Sequence, residues 1–279
     1  MDKLIITVMP AGSTEETRAV EAQAAAAIEA CRLGASMANL RARLFDGREP
    51  DVASWSRLAM LIGSECDMLL QFGRITMGPP LRRKLLELRP DAASFLLGHH
   101  DVITSDGPLH GLSTLEDQCE IAGSHLDFGV LPECLVSGSG KTWNMRQLID
   151  RGLLEPPFYA MLPFGAAGGE WSPSTPAELV RRVALLPRDT IWAVTVSGTD
   201  QLAMNALAIS QGGHLRISLA DTADRELAAS RNREIVERVI RLAHALGREV
   251  ASPSEAREIL RLPRPARLEP ESPTAAGSK

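Results

Sequence analysis

Eight alternations of a short apolar run with a longer helical stretch, a length of 279 residues and a glycine pair opening an alternating segment at 212–221 together predict an α/β fold. The fold class is a (β/α)8 TIM barrel in one domain, an architecture that typically needs about 250 residues. In the segment from Gly212 to Thr222, His214, Arg216, Ser218 and Ala220 share one face of a strand, and Leu215, Ile217 and Leu219 share the other. As the last barrel strand it aims Arg216 inward and sets Asp221 at the carboxyl end, where barrel sites are assembled.

The elements follow in order. Leu4 to Met9 is strand one, and Ser13-Thr14-Glu15-Glu16 caps an alanine-rich helix reaching Leu33. Gly34 stops it, and Met37 to Arg43 forms strand two with Asn39, Arg41 and Arg43 on one face. In a barrel the outer side of that strand is covered by helices, so the polar face is expected inward or over the mouth. A helix through Trp55 to Ile62 leads to the strand Met68 to Gly73, then a helix over Leu81 to Leu88 and a strand over Ala93 to Leu97. Ser113-Thr114-Leu115-Glu116 reads as a capping box for a helix over Leu115 to Leu126. A strand within Phe128 to Val136, a helix from Trp143 to Ile149 and a strand from Phe158 to Pro163 come next. Thr175-Pro176-Ala177-Glu178 starts a helix ending at Leu186. Thr190 to Val196, Gln201 to Ser210, His214 to Leu219 and Arg231 to Leu246 complete the alternation. Ser252-Pro253-Ser254-Glu255 caps a short terminal helix, so the barrel is expected over 1–262 and a flexible Pro, Glu and Ser-rich tail over 263–279.

Bulk properties narrow the partners. Aromatic residues are only 4% of the chain, so the core has to be built from Ala, Leu, Ile, Val and Met. A net charge of -5 without a basic stripe argues against broad nucleic-acid binding. No apolar run is long enough for a membrane span or signal peptide. The scattered Cys31, Cys66, Cys119 and Cys134 fit reduced thiols in a cytoplasmic protein better than a disulfide framework.

Several segments together resemble the beta-keto acid cleavage enzymes, which include 3-keto-5-aminohexanoate cleavage enzyme: Gly34-Ala35, Arg43 with Asp46-Gly47-Arg48, Pro132-Glu133, the run from Leu148 to Pro157, Gly168-Gly169, Gly212 to Arg216, and Leu246 to Ala251. The resemblance implies a (β/α)8 barrel, usually a homotetramer. Its implied reaction condenses a β-keto acid with acetyl-CoA and splits the product into acetoacetate and a new acyl-CoA. The partners expected from it are a small carboxylate-bearing keto acid and a coenzyme A ester. In that family a zinc ion is held by a His-x-His pair on strand two and a glutamate ending strand eight. Those positions fall here on Asn39, Arg41 and Ala220, so the expected site has no zinc, while Asp221 is kept. Guanidinium has no lone pair to give a metal.

The resemblance matches Arg216 to substrate orientation and Asp221 to proton transfer; the plainer alternative is a structural ion pair. Asn39, Arg41 and Arg43 offer a fixed positive field in place of the metal, or Arg41 simply fills the vacated space and pairs with a local acid. Gly168, Gly169, Ser197 and Gly198 follow strands six and seven, where small residues let a ligand approach the backbone or merely form turns. Ser137-Gly138-Ser139-Gly140-Lys141-Thr142 looks like the end of a P-loop, yet position 135 is Leu where the first glycine is needed. Nucleotide hydrolysis is therefore not expected; an anion at the helix start, or a flexible glycine loop, remains open. His99-His100-Asp101 reads as loop, and His110, His125 and His244 as surface histidines. Two functions fit: acyl transfer without the usual zinc, or a catalytically silent relative that binds a small acid or a partner.

Overall fold

The computed structural model describes residues 1–10, 19–40, 52–73, 79–104, 107–165, 171–198, 201–219 and 225–263, with the side chains of 19, 100–110 and 225–229 outside that description. Within them, β1 (Ile6–Met9), α1 (Ala19–Leu33), β2 (Met37–Leu40), α2 (Val52–Gly63), β3 (Leu69–Phe72), α3 (Pro79–Leu86) and β4 (Ala92–Leu96) form the first half. The hairpin β5 (His100–Thr104) and β6 (Gly107–Gly111) follows, then α4 (Leu115–Phe128), β7 (Leu131–Leu135), α5 (Ser139–Asp150) and β8 (Phe158–Phe164). The chain continues through α6 (Pro176–Leu185), β9 (Thr190–Val196), α7 (Gln201–Ser210), β10 (His214–Ser218), α8 (Arg225–Ala245) and α9 (Pro253–Ile259). Eight strands close into a barrel in the order β1-β10-β9-β8-β7-β4-β3-β2, each pair parallel, as the eight-unit reading expected.

The period of two along each strand splits the side chains into two cores. Val8, Leu40, Phe72, Phe95, Cys134, Leu162, Val194 and Leu215 face outward into the layer under the helices. The other parity, with Ile5, Met37, Leu69, Ala92, Leu135, Met161 and Ala193, fills the barrel interior. Helix α9 closes the amino end: Ala251, Ala256 and Leu260 pack into that interior cluster. Ser252 caps α9 in a capping box with Glu255, as the sequence signals. Lys3 ties the helix and the segment before it to the start of the chain by ion pairs to Glu255 (2.8 Å) and Glu249 (2.9 Å), and Arg248 donates to the carbonyls of Asp2, Ile209 and Gly213. The amino end is thus plugged with apolar side chains, which leaves the carboxyl end for chemistry.

The glycine pair before β10 does two separate jobs. Gly212 has φ +87°, and a Cβ on Gly213 would stand 2.1 Å from the Trp192 ring, so the first makes the turn and the second lets strand and indole pack.

Four sequence expectations change. The loop after strand four is the antiparallel hairpin β5–β6, which lies outside the barrel alternation. The capping box of α4 is one residue later than expected, with Thr114 bonded to Asp117 N (3.1 Å) and Asp117 returning to Thr114 N (2.8 Å). Helix α5 begins at Ser139, so the glycine loop is its first turn and is not a free segment. His125 is not on the surface: it is 1% exposed, bonded to Val130 O at 3.0 Å, and burial pushes its imidazole down to about 3. His244 is exposed as expected, and His110 lies outside the described side chains. The cysteines are free thiols, Cys134 buried and the other three half-buried. No described helix is long and apolar enough to cross a membrane.

Candidate active site

The carboxyl half of the barrel interior is polar, because the inward parity of several strands changes from aliphatic to hydrogen-bonding residues there. On β1 Ile5 gives way to Thr7, on β2 Met37 to Asn39, on β3 Leu69 to Gln71 and on β4 Ala92 to Ser94. Arg216 is the centre of this layer. Its side chain is 5% exposed and forms an ion pair with Glu133 of β7, which is fully buried. Its Nη2 also donates to Gln71 Oε1 at 3.0 Å, so the guanidinium spans from β10 to β3 and β7. Ser94 Oγ donates to the second carboxylate oxygen of Glu133 at 3.0 Å, and Gln71 Nε2 reaches Ser94 Oγ at 3.4 Å. A buried ion pair needs such extra hydrogen bonds to offset desolvation.

Some buried groups in this layer are left over. The Asn39 carboxamide is fully buried, and neither Oδ1 nor Nδ2 has a partner among the described residues. Arg216 Nε, Thr7 Oγ1 and Tyr159 Oη are also unmatched. Tyr159 faces Thr7, Glu133 and Arg216; burial and the Glu133 charge raise its phenol above the ordinary range, and neither hydroxyl completes a bond of normal geometry. Each unmatched buried donor or acceptor costs about 1–3 kcal/mol, so the Asn39 carboxamide and Arg216 Nε mark a place where polar atoms of a ligand fit, while the Thr7 and Tyr159 hydroxyls face each other. Gly73 keeps Asn39 in position by absence: a Cβ there would stand 2.3 Å from Oδ1 and 2.6 Å from Nδ2.

The predicted residues are only partly brought together. Arg216 and Asn39 both face the interior polar layer, and Arg216 is paired with an acid, but the acid is Glu133. Asp221, Arg41, Arg43, Gly168 and Gly169 lie outside the described residues. Ser197 is half-buried and gives its N–H to Phe164 O at 2.9 Å, and Gly198 is exposed with φ +89°. Both sit at the carboxyl rim, with no hydrogen bond to the Arg216 cluster among the described residues. Gln71, Ser94, Glu133, Tyr159 and Thr7 were not singled out from the sequence as site residues. The signal was available: a lone Glu in Leu131-Pro132-Glu133-Cys134-Leu135, a lone Gln in Leu69-Leu70-Gln71-Phe72, and the only tyrosine of the chain, each on a buried strand.

Among the described residues no three His, Cys, Asp or Glu side chains gather to hold a metal ion. Asn39 offers a neutral carboxamide, which suits hard oxygen-binding cations better than zinc.

These features define a parallel barrel with a buried acid–base cluster at its carboxyl end. The profile of the beta-keto acid cleavage enzymes matches residues 3–262, and the chain belongs to that family. It is 31% identical to the 3-keto-5-aminohexanoate cleavage enzyme of Fusobacterium nucleatum, over 94% of this chain and 99% of the relative. It is also 31% identical to the enzyme of that name from Acetoanaerobium sticklandii, over 93% and 98%. At 25% identity it is similar to a 3,5-dioxohexanoate:acetyl-CoA acetone transferase of Paraburkholderia graminis, over 85% and 86%. Among solved structures, apo ObcA superposes with TM-score 0.65 at 14% identity, over 91% of this chain and 65% of that one, a likeness of fold.

Proposed function

We propose that the chain transfers acyl groups between a small β-keto acid and acetyl-CoA, by condensation and retro-Claisen cleavage, and that it does so without the family zinc. The observation that carries this reading is the pair of unmatched donors, Asn39 Nδ2 and Arg216 Nε, inside a barrel otherwise closed at its amino end. Negative charge develops on the keto oxygen as an enolate forms, and buried, fixed N–H groups stabilise such charge at no reorganisation cost. Arg216 supplies one of these donors as a cation, oriented by Glu133 and Gln71. Asn39 supplies the other, at a position the family gives to a metal ligand. Asp221, which follows Leu219 and Ala220 after the strand that carries Arg216, is the base that removes the α-proton.

The donor set supports the zinc-free reading. Carboxamide, guanidinium and methyl groups at 39, 41 and 220 do not make the three-ligand, one-open-position site that catalytic zinc requires. The names of the relatives supply the co-substrate, since acetyl-CoA appears in the transferase of P. graminis and in a 3-dehydrocarnitine:acetyl-CoA trimethylamine transferase of Rhizobium meliloti.

One observation favours the second reading, a silent relative. Arg216 already has an acid in Glu133, as a purely structural arginine would. The two are separated by incubating purified protein with acetyl-CoA and a panel of β-keto acids and looking for new acyl-CoA species by mass spectrometry. Product that disappears in Arg216→Ala supports acyl transfer; no product from any acid, with or without added zinc, supports the silent reading.

A further inference from the structure

The geometry points to a second recognition site in the same mouth: the first turn of α5, with Ser137, binds an oxyanion, either a carboxylate or a phosphate. Helix α5 is 12 residues long, and its N-cap, Gly138, makes no side-chain cap. The N–H groups of Ser139 and Gly140 have no acceptor within the helix, and they point out of the positive end of its dipole. No acidic residue occupies the first turn; Lys141 does, 93% buried by its 7% exposure, with Nζ donating to His99 O. A lysine there adds to the positive end of the helix, where helices ordinarily place acids.

The independent observation is Ser137. It is 1% exposed and its Oγ has no hydrogen-bond partner among the described residues. Leu135 packs in the interior cluster and Val136 in the outer one, so the alternation carried past the end of β7 turns Ser137 to the barrel side, immediately before the uncapped turn. Its own carbonyl is held by Ser172 Oγ at 3.1 Å, which fixes the backbone around that hydroxyl. Neither glycine of the turn is demanded by conformation or packing. Gly138 has φ -166°, Gly140 has no positive φ, and a Cβ on either would meet nothing within 4 Å among the described residues. Their effect is to leave open space over the amides. Arg182 adds charge on the far side of the strand, its guanidinium on Val136 O.

Ser137 stands four residues beyond Glu133 and just past the end of β7, on the carboxyl-end rim above the Arg216 cluster. A ligand whose reacting carbonyl lies at Asn39 and Arg216 would place an anionic group at this rim. The group belongs to the acid end of a keto diacid or to a phosphate of coenzyme A.

Binding, not turnover, tests this. Inorganic phosphate and glutarate are titrated calorimetrically into the full chain and into three variants. Ser139→Pro removes one amide donor at the helix position proline tolerates best, after a Gly138 already extended. Ser137→Ala removes the hydroxyl. Gly138→Asp supplies an internal carboxylate cap. We expect at least a fivefold weaker Kd in the first two, and in Gly138→Asp loss of binding with a melting temperature raised by about 1 °C. That rise shows the fold intact. Glutarate competition assigns the site to the keto acid, and tighter binding of coenzyme A than of its 3′-dephospho form assigns it to the cofactor. Absence of binding by both probes, or binding unchanged in all three variants, overturns the site whatever the fate of the catalytic reading.

Discussion

Replacing Glu133 by Gln tests whether the barrel interior is organised by charge. The substitution keeps the shape and lets Ser94 Oγ still donate to the side-chain oxygen, and Arg216 keeps its 3.0 Å contact with Gln71 Oε1. What is lost is the only carboxylate against Arg216 among the described ion pairs, in a position where Arg216 is 6% exposed and Glu133 is fully buried. Breaking a buried pair on one side costs about 3–5 kcal/mol, because the remaining charge is desolvated without compensation. Against a stability of about 5–15 kcal/mol that is a large fraction, and it lowers the melting temperature by about 6–20 °C for a chain of this size. Arg216→Met removes the stranded cation, so the double variant recovers much of the loss, a coupling of about 2 kcal/mol or more in a double-mutant cycle. Urea unfolding of the four proteins reads this directly. A loss under about 1 kcal/mol in Glu133→Gln, with additive behaviour in the double variant, would refute the reasoning.

Three further perturbations follow from the same structure. Gly73→Ala puts a methyl 2.3 Å from Asn39 Oδ1, so the carboxamide has to move; a stability loss of about 1–3 kcal/mol and a fall of about 10²-fold in kcat are expected from unfolding curves and acyl-CoA assays, and unchanged kcat would remove Asn39 from the site. Burial, with Arg82 beside one and Arg248 beside the other, pushes His125 and His214 down to about 3. Both are neutral in the fold while the unfolded chain titrates near 6.5, so their contribution is complete above pH 6.5 and is lost as pH falls from there toward 3, by about 2 kcal/mol per histidine at pH 5. Urea unfolding at pH 8 and pH 5 measures this, and an undiminished stability at pH 5 would contradict it. Ser252→Ala removes the cap of the helix that plugs the amino end and should cost about 1 kcal/mol, read as a shifted urea midpoint at constant slope.

What the sequence made legible is what repeats locally. The alternation of β10, the stop at Gly34 and the caps at Thr175 and Ser252 are short-range patterns with one physical solution, and the structure has each of them. The capping box of α4 was displaced by one residue because Ser113, Thr114, Glu116 and Asp117 offer two overlapping frames. The hairpin at 100–111 was missed because its two strands are short and polar, without the apolar run that marked the barrel strands. His125 looked like a surface residue because nothing local says that the last turn of α4 packs under Phe95, whose ring lies 5.7 Å away. The site was half legible. The inward face of Arg216 and Asn39 follows from parity, but Glu133 and Gln71 are 83 and 145 residues from Arg216 in sequence. Only closure of the barrel brings those three strands to one layer.

The claim that Asn39 and Arg216 replace a metal is tested most directly by the metal dependence of turnover. The full chain is stripped with a chelator, its residual metal is measured, and acyl-CoA formation from acetyl-CoA and the best β-keto acid is followed as zinc is added back. Turnover that persists in stripped protein, does not rise with one equivalent of zinc, and falls about 10²–10³-fold in Asn39→Ala is the result expected. Activity that vanishes on stripping and returns in proportion to bound zinc would contradict it.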